Sequence, residues 1–122
     1  MKSTIISKIC SMPKEFYSRM DKSIIQIFNE TGYLKETKAV SKESLIDYLQ
    51  NNPEMITEWE NYSADKRYSP SWYFINDGSE WIVGYASVPS QEQKKVFQSK
   101  FEACAEFILH ELEKFTEQAP RP

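Results

Sequence analysis

Ser71-Trp72-Tyr73-Phe74-Ile75, then Asn76-Asp77-Gly78-Ser79, then Glu80-Trp81-Ile82-Val83-Gly84-Tyr85 is the stretch that decides the fold. Aromatic and β-branched residues flank a turn signal, the composition of two strands joined as a hairpin. Asp77-Gly78 is the strongest part of that signal, because glycine supplies the positive φ that a tight hairpin turn needs. Side chains alternate along a strand. Trp72 and Phe74 therefore share one face of the first strand, and Tyr73 and Ile75 the other. In the second strand Trp81, Val83 and Tyr85 oppose Ile82, Gly84 and Ala86. Both faces are apolar, so one packs on helices and the other is either covered as well or offered to a partner.

Beyond the hairpin, residues 87–93 form a polar loop, and Lys95-Val96-Phe97-Gln98 suits a short third strand. Ser99-Lys100-Phe101-Glu102 has the pattern of a capping box, in which the serine oxygen accepts the N–H three residues on. Phe101, Cys104, Ile108, Leu112 and Phe115 continue at helical spacing, with Ala105, Phe107 and Leu109 widening the apolar stripe. Glu102, Glu106, Glu113 and Glu117 fall towards the polar side.

On the N-terminal side the chain reads as helices. Phe16, Tyr17, Met20, Ile24, Ile27 and Phe28 recur in steps of three and four and predict one helix over 13–31. Pro13 suits its first turn and Gly32 its end. A short helical turn over 4–10 precedes it. Ser41 reads as the N-cap of a helix carrying Leu45, Ile46, Tyr48 and Leu49. Asn52 reads as the cap of the next helix, with Pro53 at its first position. There Met55, Trp59 and Tyr62 share a face, and Glu54, Glu58 and Asn61 another. Residues 63–69 read as an exposed connector. The expected fold is α+β: N-terminal helices packed with a small antiparallel hairpin or three-stranded meander and a C-terminal helix. Residues 1–122 form one domain, with 118–122 a frayed tail.

Composition narrows the function classes. A net charge of −3 and a pI of about 5.2 argue against a nucleic-acid binder, whose footprint is a basic patch. The longest apolar run is far below the ~20 residues that span a bilayer, and the N-terminus has no signal-peptide pattern. Cys10 and Cys104 leave a disulfide open, but nothing else suggests export, and the cytoplasm is the expected compartment. His110 is the only histidine, so the usual zinc cluster cannot be built and no metal or cofactor is expected. Cys104 lies on the core stripe, where a thiol is inert. No carboxylate pair is placed for acid–base work, and three scattered glycines make no phosphate loop.

The run 71–75, the Asp-Gly turn, Trp81 to Tyr85, then Val96-Phe97 and Phe101-Glu102-Ala103-Cys104-Ala105-Glu106-Phe107-Ile108 resembles small bacterial immunity proteins, encoded beside polymorphic or contact-dependent growth-inhibition toxins. The resemblance covers residues 70–115. It implies a cognate inhibitor and not an enzyme, one that binds a toxin domain in the producing cell. Many such toxins are basic nucleases, which an acidic inhibitor meets by electrostatic steering. These proteins share no common contact set, so no residue is carried over from them. On this reading the expected contact residues are Glu54, Glu58, Glu60 and Asp65, with Tyr62 and Tyr68 as anchors and Asp77 and Glu80 at the hairpin tip as second choices. Two alternatives stay open. One is a small-molecule or enzymatic site between hairpin and helices that uses Tyr73, Tyr85 and His110. The other is a domain that self-associates through the spare hairpin face.

Overall fold

The computed structural model describes residues 2–18, 21–65, 71–86 and 93–118. Tyr68, Met20, most of the connector after residue 65, the loop after residue 86 and the tail lie outside them. Among the described residues the fold is α+β. The helices are α1 (Lys2–Cys10), α2 (Met12–Ser18), α3 (Ile24–Glu30), α4 (Lys42–Asn51), α5 (Glu54–Asp65) and α6 (Lys100–Gln118). The strands are β1 (Ser71–Asn76), β2 (Trp81–Ala86) and β3 (Gln93–Phe97), in an antiparallel sheet of order β1-β2-β3.

One helix expected over 13–31 is two. The polar run Asp21-Lys22-Ser23 breaks it, and Ser23 begins a new helix with a capping box: its Oγ accepts from the Gln26 N–H, and its own N–H donates to Gln26 Oε1. Phe28 and Ile27 are buried as the periodicity required, whereas Tyr17 faces out. Gly32 stops α3 at a φ of 81°, a conformation that favours glycine. Ser41 caps α4 as expected. Asn52 does not serve α5 with its side chain: Nδ2 donates to the Tyr48 carbonyl and closes α4. The short turn expected over 4–10 is a full helix.

α6 packs across the strands on one face of the sheet, and α5 lies against β1 and α6. Phe107 of α6 meets Phe74 of β1 at 5.7 Å and Trp59 of α5 at 6.0 Å, which joins the three elements through aromatic rings. Trp59 is fully buried, and its indole Nε1–H donates to the Cys10 carbonyl at 2.9 Å. Cys10 and Cys104 are both buried and both free.

The hairpin pairs Trp72 with Tyr85, Phe74 with Val83 and Asn76 with Trp81, and β3 sets Phe97 opposite Trp81. The chain turns one residue later than the Asp-Gly signal suggests. Asp77 donates its N–H to the Glu80 carbonyl, and Gly78, at φ 106°, opens the tip. Asp77 Oδ1 accepts from the N–H groups of Ser79 and Glu80, so the aspartate organises the turn with its own side chain.

Two devices finish the sheet. At the β1 edge the Phe74 N–H points away from β2 and donates to Ser63 Oγ of α5 at 2.7 Å. On the outer face Gly84 lies under the Tyr73 side chain; a Cβ at residue 84 would clash with the hydroxyl end of that ring. Ser63→Ala leaves the buried Phe74 N–H without its acceptor and should cost about 1–3 kcal/mol in chemical denaturation. Gly84→Ala must push the Tyr73 ring aside and should cost about 1 kcal/mol, with a change in the tyrosine near-UV signal.

Candidate functional site

The sheet has two unlike faces, and each carries a candidate. On the helix-covered face, Trp72 of β1 stacks flat on His110 of α6, with ring centroids 3.5 Å apart and planes 6° apart. Tyr85, opposite Trp72 in the register, tilts against the same indole at 5.1 Å. One turn before His110, Glu106 places its carboxylate 3.0 Å from His110 Nε2. The spacing of four along α6 is what allows that contact. Lys42 of α4 lies 3.2 Å from Glu106, and Lys95 of β3 lies 3.7 Å from it. Three elements, α4, β3 and α6, thus meet at one carboxylate. Its burial opposes ionisation, but the Lys42 hydrogen bond and charge, the Lys95 charge and the His110 contact outweigh it, and the carboxyl is held below its ordinary value.

A cavity of about 230 Å³ opens beside this cluster, bounded by Trp72, Val83, Lys94, Lys95, Glu106 and His110. A roomier hollow of about 480 Å³ lies between α1, α2 and α3; its walls include Lys8, Lys14, Glu15 and Glu30 but no aromatic ring. Among the described residues no group of three metal-ligating side chains exists. The thiols are poor nucleophiles: burial raises Cys10 to about 12, and burial, with the charges of Cys10 and Glu60, raises Cys104 well above its ordinary value.

The outer face is different. Ile75, Ile82 and Val96 lie side by side across the three strands, and Ile75 and Val96 are 42% and 49% exposed. The hairpin tip borders this row. There the Asp77 carboxyl is held below its ordinary value, chiefly by the backbone N–H groups of Ser79 and Glu80. Glu80 accepts from Gln98 Nε2 at 3.2 Å, which ties the tip to the end of β3.

The expected contact residues do not form one surface. Glu54 is exposed and Glu58 half-buried on the outer side of α5. Glu60 sits about 200° further round the helix from Glu58, on the side whose charge reaches Cys104. Tyr62 is no surface anchor: it is 5% exposed, with its ring edge-on to Trp59 at 5.8 Å and to Phe16 at 6.4 Å. The reason is its place on the Met55–Trp59 face, which is the core face of α5. Asp65 ends α5, with its side chain outside the description, as is all of Tyr68. Of the residues named for a small-molecule site, Tyr85 and His110 do meet around Trp72, whereas Tyr73 lies on the opposite face of the sheet.

Sequence reasoning did not find the Lys42–Glu106–Lys95 convergence or the Trp72–His110 stack. It also passed over Glu111, a carboxylate buried at 0% exposure. Its position seven residues after Cys104 and three after Ile108 puts it on the apolar stripe, and that was a readable sign.

Comparison with protein-family models, curated proteins and solved structures finds no match for this chain. No helix among the described residues is long and apolar enough to cross a membrane.

A carboxyl whose folded value lies below 4.5 contributes stability above that pH and loses it as pH falls through the folded value. Glu106→Gln should therefore destabilise the protein at neutral pH by about 1 kcal/mol, as an ion-pair cluster of this exposure warrants. The deficit should shrink as the pH falls below 4.5 and through the folded value in a series of thermal melts.

Proposed function

We propose that this chain is an immunity protein, which binds a cognate toxin domain one to one in the cytoplasm of the cell that makes it and neutralises it without chemistry of its own. The observation that carries the reading is the outer sheet face. Ile75, Ile82 and Val96 make an apolar row with an acidic rim at Asp77 and Glu80. An interface of that design has an apolar centre that drives association and a polar border that sets orientation.

Charge points to the partner's chemistry. The chain carries −3 overall, and Asp77 keeps its charge at any pH near neutrality. A basic toxin domain, of the nuclease type, would be drawn to this tip and would cover the apolar row on docking. The Glu54 and Glu58 side of α5 offers a second acidic surface, so the two can be compared directly.

The test is titration calorimetry and stopped-flow binding against the toxin domain encoded beside this chain. An Ile75→Asp, Val96→Asp double variant should fold normally, since both side chains are exposed. It should raise Kd by about a hundredfold or more, the worth of two lost anchors. Asp77→Asn with Glu80→Gln should slow association several-fold at low salt and little at high salt. An unchanged Kd in the double variant removes the outer face from the contact; a neighbour domain that does not bind the wild type removes the function.

A further inference from the structure

The two lysines of the cluster beside Trp72 are unequally engaged by its carboxylates, Glu102 and Glu106. Glu106 is met at hydrogen-bonding distance by Lys42 at 3.2 Å and by His110 at 3.0 Å. Lys42 is further occupied: it stands 3.7 Å from Glu102, and its ammonium lies 5.3 Å from the centre of the Phe97 ring. Lys95 is held least. It reaches Glu106 only at 3.7 Å, beyond hydrogen-bonding distance, and its side chain is 69% exposed. That ammonium stands at the lip of the cavity of about 230 Å³, whose inner wall is the buried Val83 and the half-buried indole of Trp72.

The two ends of this cavity ask for different things. A carboxylate already served by two donors has little to gain from a cationic ligand. An ammonium with a long, loose contact gains a strong, charge-assisted hydrogen bond from an anion. The apolar wall gains from a hydrocarbon body and nothing from a bare ion. Because His110 already covers one face of Trp72, the body packs against the indole edge and the Val83 methyls. Small ligands are held in this way, by an apolar wall and placed polar groups; here Trp72 and Val83 supply the wall, and Lys94, Lys95, Glu106 and His110 the polar groups.

From this geometry we infer that the cavity between β1, β2, β3 and α6 binds a small amphipathic monoanion, an apolar body bearing one carboxylate, with the carboxylate on Lys95 Nζ and the body against Trp72 and Val83. The inference goes beyond the protein-binding role and stands or falls separately from it, since the cavity lies on the opposite side of the sheet from the outer row.

The experiment is an NMR titration of the full chain with phenylacetate, and in parallel with inorganic phosphate at matched ionic strength. The indole N–H resonance of Trp72, assigned with Trp72→Phe, and the His110 ring resonances are followed. Phenylacetate should shift both in a saturable way, and phosphate should leave them in place. Lys95→Gln should weaken phenylacetate by about tenfold, the effect of losing one charged hydrogen bond, whereas Lys95→Arg should bind like the wild type. Lys95 is mostly exposed, so neither change threatens the fold. No saturable shift with phenylacetate, equal shifts with phosphate, or full affinity in Lys95→Gln would each overturn the assignment.

Discussion

A single indole ties α1 to the helix that packs on the sheet. Trp59 is sealed from solvent, and its one polar atom donates to the carbonyl of Cys10, where α1 gives way to α2. A helix end leaves carbonyls without intrahelical partners, so this bond meets a need of α1 and of the indole at once. The same ring lies edge-on to Tyr62 in its own helix and to Phe107 in α6. Phe107 in turn stacks near Phe74, and Phe74 on Trp81. The position of the sheet relative to α1 is thus passed through four rings and one hydrogen bond, with no charged group in the chain of contacts.

Local pattern made much of this legible. The strands, the Ser41 cap, the burial of Met55, Trp59 and Tyr62, and the stripe along α6 all follow from period and composition. Failures came where two signals competed. The step of three and four continues across Asp21 to Ser23, so periodicity hid the break, although Ser23 and Gln26 carried a capping box in plain view. Asp-Gly marked the hairpin but not its register, because the aspartate side chain takes the place of one backbone bond in the turn. The carboxylate cluster was beyond reach for another reason. Lys42, Lys95 and Glu106 come from α4, β3 and α6, and nothing in their local sequence states that these elements meet. Tyr62 shows the converse: a residue can be read correctly as part of a core face and still be named wrongly as a surface anchor.

The two faces of the sheet divide its properties. Towards α6 the Glu106 carboxylate is held by Lys42 and His110 beside a small cavity, with Lys95 exposed at its edge. Away from α6 the row of Ile75, Ile82 and Val96 is bordered at the hairpin tip by Asp77, whose ionisation the turn itself favours.

The edges of the sheet carry a consequence of their own. Ser63 already occupies an outward N–H of β1, and the strand at the opposite margin presents two ammonium groups, Lys94 and Lys95, in a run of five residues. Backbone templating, the growth of one molecule's sheet onto another's, is disfavoured at both margins. If concentrated solutions of this protein cluster, they should do so by pressing sheet surfaces together, reversibly and without amyloid order.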